Sequence, residues 1–268
     1  MKVKITGEII PNEYAWIYDF FGEPYFCPIV LENAVSAAEE DDRELILVIN
    51  SPGGDVWSGF ETYSRLRQLQ TEGWHVEAHV TALAASAATT IMSACDTVLC
   101  SPVGQIMIHL PSCVTGGDKH DHEESIAFLN SIEESILNGY MVKSAGKADR
   151  DQLRAAMEAE TWMPVQQAID LGLVDGILGD VQNMTLTVVD LSALAGKVVN
   201  SLQEGLGLRY EALLARYEQG VQNGSLTEDP HHPVRNAQPE PAEPEPETNS
   251  WEEWAELELE LERQRYSP

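Results

Sequence analysis

Thr81-Ala82-Leu83-Ala84-Ala85-Ser86-Ala87-Ala88-Thr89-Thr90-Ile91-Met92 sets one serine among small residues at the mouth of an apolar run. A hydroxyl ringed by alanines can occupy a sharp strand-to-helix turn, because no neighbouring side chain blocks the approach of a carbonyl group. The helix that follows such a turn aims unpaired backbone N–H groups at charge developing beside the serine. Taken alone, the segment also fits a helix that packs closely through its small residues. Its neighbours along the chain decide between the two.

Upstream, Leu45-Ile46-Leu47-Val48-Ile49-Asn50 is a short apolar, β-branched run that reads as a buried strand. Ser51-Pro52-Gly53-Gly54-Asp55 follows, and a helical pattern then runs from Val56 to about Leu69. Adjacent glycines at a strand end open backbone conformations closed to other residues and admit a ligand close to the main chain. Their N–H groups can form an oxyanion hole, in which one donor is worth about 2.7–4 kcal/mol of transition-state stabilisation. An ordinary turn between strand and helix is the alternative. Downstream, Gly104-Gln105-Ile106-Met107-Ile108-His109-Leu110-Pro111 predicts a short strand with a histidine at its end.

Four motifs in series resemble the Clp-type serine peptidases and their phage-encoded relatives. They are Ile49-Asn50-Ser51-Pro52-Gly53-Gly54, Ala84-Ala85-Ser86-Ala87, Met107-Ile108-His109-Leu110-Pro111 and Gly172-Leu173-Val174-Asp175. The resemblance covers residues 1–180 and implies acyl transfer. Ser86 would attack a peptide carbonyl, and His109 would take its proton and return it to the leaving amine. The N–H groups of Gly54 and Ala87 would hold the oxyanion. The family sets an aspartate about fifteen positions before its Gly-Leu-Val-Asp aspartate, and the same count back from Asp175 lands on Glu160. A glutamate at this position departs from the pattern, its carboxylate lying one methylene further out. Asp151 and Asp170 are fallback acids, and a pair reduced to Ser86 and His109 is the simpler variant. A Ser–Lys dyad is a further variant, with Lys143 and Lys147 the nearest candidates and neither in a matching motif.

Other histidines carry less. His120 and His122 lie two apart, on different faces of a helix, so a metal site there would need a loop. A polar helix start is the expected reading, and no metal or cofactor is expected. His75 and His79 fall in a strand near Val76–Val80, and His231-His232 sits in low-complexity sequence. The absence of a Gly-rich phosphate loop argues against ATP hydrolysis by this chain itself. Of 268 residues, 44 are acidic and 16 basic, a formal net charge of -28 that argues against direct nucleic-acid binding. Cys27, Cys95, Cys100 and Cys113 show no paired metal spacing and are expected as reduced thiols in a cytoplasmic setting. No signal-peptide pattern opens the chain, and no apolar run approaches the ~20 residues of a membrane helix.

Strand-like pieces near Val3–Ile10, Leu45–Asn50, Val76–Val80, Thr97–Cys100 and Gln105–His109 alternate with helical ones near Cys27–Glu40, Trp57–Leu69 and Ala87–Ala94. This is the pattern of an α/β fold with a largely parallel sheet. A long helix is predicted from about Glu123 to Ser144, with Ile126, Leu129, Ile132, Ile136 and Met141 along one face. Helices at Asp151–Ala159 and Pro164–Leu171 and a strand at Leu173–Leu178 complete the domain. The resemblance implies a Clp/crotonase-like spiral of ββα units, a long protruding helix and homo-oligomeric rings, heptameric and often stacked. Beyond residue 180 the chain predicts a helical extension (181–223), a disordered Pro/Glu-rich linker (224–250) and an amphipathic acidic tail (251–268) suited to docking. Housekeeping members lack such a tail, so the extension points to the phage branch, whose members trim scaffold or capsid proteins in the prohead. Two other readings stand beside this one. One is a crotonase-type acyl-CoA enzyme, which has no need of a Ser–His pair. The other is a ring-forming assembly module whose triad has decayed.

Overall fold

The computed structural model describes residues 1–39, 42–179, 209–232 and 234. In order these form β1 (Lys2–Ile9), α1 (Ala15–Phe21), β2 (Tyr25–Phe26), α2 (Pro28–Ser36), β3 (Glu44–Gly54), α3 (Val56–Thr71), β4 (His75–Ala85) and α4 (Ala87–Ser93). The series continues with β5 (Thr97–Cys100), β6 (Gln105–Ile108), α5 (Lys119–Ser144), α6 (Arg150–Glu158), β7 (Thr161–Pro164), α7 (Val165–Asp170) and β8 (Gly176–Ile177). The sheet runs β2-β1-β3-β4-β5-β8 with every pairing parallel, while β6 pairs with the end of β4 and carries β7 antiparallel. The expected α/β architecture with a parallel sheet is therefore present. Alternation builds its core, since Leu45, Leu47 and Ile49 of β3 and Val76, Ala78 and Val80 of β4 are all buried.

Several elements differ from their expected bounds. β3 does not stop at Asn50. It continues through Pro52-Gly53-Gly54, and the glycines pair with β1 as Glu8↔Gly53 and Ile9↔Gly54. The Gly-Gly pair is thus the end of a strand and not a turn. α1, β2 and β7 have no counterpart in the sequence reading, because segments of two to seven residues are too short to display a period. α5 begins at Lys119, four residues early, because Asp118 and Asp121 form a reciprocal capping box. Its apolar face is not continuous either. Ile126 is 59% exposed and Phe128 is exposed, and burial begins only at Ile132. The first turns therefore stand clear of the core.

On the side away from β3, β4 serves two partners. Glu77–Val80 pair with β5, and Leu83–Ala85 pair with β6. Register shifts lie at the same level in the neighbouring strands, between Thr6 and Glu8 against β3 and between Ile49 and Ser51 against β4. Such bulges bend a strand and re-aim the side chains beyond them. The Ser51 hydroxyl ties two of the strands together, donating to the Gly7 carbonyl at 2.6 Å and accepting from Gly53 N–H at 3.1 Å.

The chain divides into two compact units, Met1–Arg216 and Tyr217–Pro268. In the first, residues 209–216 are helical, with Tyr210 stacked on Tyr14 at 3.8 Å between ring centroids, Arg209 paired with Glu23, and Arg216 over the Phe21 ring. In the second, the Tyr217 hydroxyl donates to the His232 carbonyl and accepts from Asp229 N–H, each at 2.8 Å. The acidic tail and residues 235–250 of the expected linker lie outside the described residues, as does most of the predicted extension.

Lys143 is committed to structure. Its side chain is 6% exposed, and Nζ donates to Asp175 Oδ2 at 2.6 Å and to the Cys95 carbonyl at 3.1 Å. Asp175 also accepts from Val98 N–H at 2.7 Å, joining β5 to the segment before β8. Replacing Asp175 leaves a buried ammonium and a strand N–H without their acceptor. Because Asp175 itself is 40% exposed, the cost is reduced by solvent. Asp175→Ala is expected to destabilise the protein by about 2 kcal/mol, read as a shift in the urea denaturation midpoint at unchanged slope.

Candidate active site

β4 ends at Ala85 and α4 begins at Ala87, so Ser86 alone makes the corner. Its backbone takes φ 55 and ψ -126, a conformation that costs a non-glycine residue about 1–3 kcal/mol. Local bonds hold it there. Ser86 N–H donates to the Met107 carbonyl of β6 at 3.1 Å, and the Thr89 hydroxyl donates to the Ser86 carbonyl at 2.5 Å. Thr89 Oγ1 is in turn 2.6 Å from the hydroxyl of buried Tyr140 on α5. Thr89 and Tyr140 were not singled out in the sequence, where a threonine and a tyrosine on separate helices give no sign of meeting.

The serine hydroxyl caps no helix N–H and instead lies 2.8 Å from His109 Nε2. His109 follows β6 directly and is 9% exposed. Burial holds its pKa below the ordinary value, and a hydrogen bond with the Leu110 backbone acts in the opposite, smaller sense. The ring is therefore favoured neutral, with Nε2 placed to accept the serine proton. Ser86 and His109 held apart would have favoured the crotonase reading, and they are together.

Gly53 presses against this corner and Gly54 against β1. A Cβ on Gly53 would lie 2.6 Å from both Ser86 Cβ and the Ala85 carbonyl oxygen, and 2.9 Å from Ala87 N. A Cβ on Gly54 would lie 2.1 Å from the Ile9 carbonyl oxygen. Their φ values of 94° and 149° are also in the region that favours glycine. Gly54, Ser86, Ala87 and His109 line one cavity of about 760 Å³, with Ile132 and Ile136 of α5 on its apolar wall.

Glu160 is placed differently. Continuing the β6–β7 register one step beyond Ile108↔Thr161 sets it opposite His109, at a left-handed φ of 48° that turns the chain out of α6. It does not line the cavity, and no hydrogen bond joins it to His109 among the described residues. Asp151 is exposed in the first turn of α6, and Asp170 accepts from Gln166 Nε2 at 2.9 Å. Lys143 is bound to Asp175, and Lys147 Nζ lies 3.4 Å from the Ile169 carbonyl, which leaves the Ser–Lys variant without support. His120 pairs with Glu123, and His122 Nδ1 lies 3.4 Å from Thr115 Oγ1, both on the exposed first turns of α5. The cavity also takes in Glu8, Tyr14, Tyr18 and Tyr210, which sequence reading did not mark.

Residues 29–181 match the Clp protease family model. The chain belongs to the Clp protease family. It is 32% identical over 176 residues to the ATP-dependent Clp protease proteolytic subunit 1 of Chlamydia pneumoniae, covering 59% of this chain and 85% of that protein. It is 31% identical over 192 residues to the protein of the same name from Protochlamydia amoebophila, covering 70% of this chain and 90% of the relative. The proteolytic subunit of Ligilactobacillus salivarius is 28% identical over 143 residues, covering 53% of this chain and 70% of its own. This Clp-family chain is accordingly a serine peptidase by family. Residues after 181 lie outside the family match.

The contact between Gly53 and Ser86 leaves no room for a methyl group. Gly53→Ala must displace backbone as well as adopt a strained φ, whereas Gly22, at φ 67°, has nothing within 4 Å of a Cβ. Gly53→Ala is expected to lower the melting temperature by several degrees more than Gly22→Ala, consistent with about 1–3 kcal/mol of added strain. Differential scanning fluorimetry of the two variants measures it.

Proposed function

We propose that Ser86 is the nucleophile and His109 the general base of a Clp-type endopeptidase, with the N–H groups of Gly54 and Ala87 as the oxyanion site. The observation that carries this reading is the 2.8 Å separation of Ser86 Oγ and His109 Nε2 at a strained corner. In the first step the Ser86 oxygen adds to the peptide carbonyl as its proton passes to Nε2. The carbonyl oxygen gains negative charge beside the start of α4 and the close-packed glycines. The C–N bond then breaks, the imidazolium gives its proton to the leaving amine, and water hydrolyses the acyl-enzyme by the same sequence in reverse. Glu160 is assigned the part of the orienting acid, and the support is that it directly precedes Thr161, the register partner of Ile108, as His109 directly follows Ile108.

As substrates we propose the scaffold or capsid proteins of a phage prohead, with the enzyme acting as a homo-oligomeric ring in the host cytoplasm or within the shell. The support is the long acidic extension beyond the family region. An assembly module with a decayed triad is the reading this displaces, since the Ser–His geometry is intact.

Wild-type protein is expected to react with a fluorophosphonate probe, and Ser86→Ala and His109→Ala to lose labelling. Removal of either group typically lowers kcat by about 10⁴–10⁶. Glu160→Gln is expected to lower kcat/KM by at least about tenfold, and a change below twofold would leave Ser86 and His109 acting as a dyad. The base works as neutral imidazole, and burial moves its protonation to lower pH. The acid limb of the kcat/KM profile is therefore expected below about pH 6.5, the ordinary histidine value. Finally, co-expression with the scaffold and coat proteins encoded beside its own gene is expected to give truncated products in assembled shells, read by mass spectrometry. Their persistence with Ser86→Ala, or the absence of such genes, counts against the prohead assignment.

A further inference from the structure

The chain's first acidic residue, Glu8, is buried near the end of β1. Val3, Ile5 and Ile9 of that strand join the apolar core, and Glu8 beside Ile9 is only 5% exposed. Glu8 lies opposite Gly53, the residue packed against Ser86. Its Oε2 accepts the Tyr18 hydroxyl at 2.6 Å. A carboxylate has about four acceptor positions, so capacity remains for a further donor. Tyr14, Tyr18 and Tyr210 line the same cavity as Glu8 and Ser86, and Tyr14 and Tyr210 are stacked within 14° of parallel. Tyr210 comes from the segment that follows the family region.

We propose that Glu8, walled by these tyrosines, forms a subsite that takes the cationic side chain of a lysine or arginine in the substrate. A buried carboxylate among aromatic faces suits an ammonium or guanidinium on both counts, as a charge-assisted hydrogen-bond acceptor and through cation–π attraction. Among the described residues, Arg209 is the cation that acts on Glu8, and its guanidinium is paired with Glu23. Burial raises the Glu8 pKa above the ordinary carboxylate value, and an arriving cation offsets that penalty. The overall charge of -28 favours encounter with basic segments. Selection by the extension's own tyrosine would also give residues beyond the family region a part in specificity.

The proposal rests on the peptidase reading for its catalytic meaning, so binding and cleavage are tested apart. Fluorescence anisotropy on full-length Ser86→Ala protein measures peptides in which lysine or norleucine replaces each position in turn. At one position the lysine peptide is expected to bind at least about tenfold more tightly than its norleucine match. Adding Glu8→Gln, which keeps an acceptor for Tyr18, is expected to reduce the preference below twofold. Tyr210→Ala, placed off the sheet, is expected to weaken the preference while the protein stays folded. Equal binding of lysine and norleucine peptides at every position, or a preference that survives Glu8→Gln, overturns the subsite. Wild-type protein that neither cleaves the peptides nor labels with the probe, while lysine selectivity persists in Ser86→Ala, overturns the peptidase reading and leaves the subsite standing.

Discussion

The approach of two backbones governs this molecule. At Gly53 the end of β3 lies so close to the β4–α4 corner that a single methyl group would overlap the Ala85 carbonyl and the Ser86 side chain. Only glycine permits that contact, and only glycine readily takes the φ values that the strand needs there. The consequence is chemical as well as steric. Main-chain groups of β3 meet the first N–H of α4 around one serine, with no side chain between them.

The rest of the sheet can be understood as the means of holding that contact. Three neighbouring strands change register just before the site, and Ser51 bridges the irregularities of β1 and β3. β4 divides its pairing between β5 and β6, which brings the histidine at the end of β6 beside the serine at the end of β4. Thr89 and Tyr140 secure the corner from the helical side. Strain at Ser86 persists because each neighbouring element is itself fixed. Rigidity here has a chemical use, since a nucleophile and base held within hydrogen-bond distance need little reorganisation to react.

Glu8, which pairs with Gly53, also stands in the cavity wall. The aromatic residues around it come from residues 14–18 and from residue 210, two segments that neither share a motif nor lie near one another in sequence. In this chain the part of the cleft that follows the family pattern carries the proposed chemistry. The part built from less regular sequence supplies the proposed selectivity.

The sequence by itself determined the α/β class, the order of most strands and helices, and the residues Ser86, His109, Gly54 and Ala87 that share the cavity. These were legible because alternation, helical period and glycine pairs are local signals, and because four motifs stood in a familiar order. Tertiary structure alone decided that Gly53-Gly54 pairs as strand, that α5 leaves Ile126 exposed, and that Lys143 serves Asp175. It also decided that Glu160 stands opposite His109 without bonding it, and that Glu8 faces inward with Tyr18. Each of these depends on register or on contact between distant segments. No local pattern encodes such a contact, because the other segment sets it.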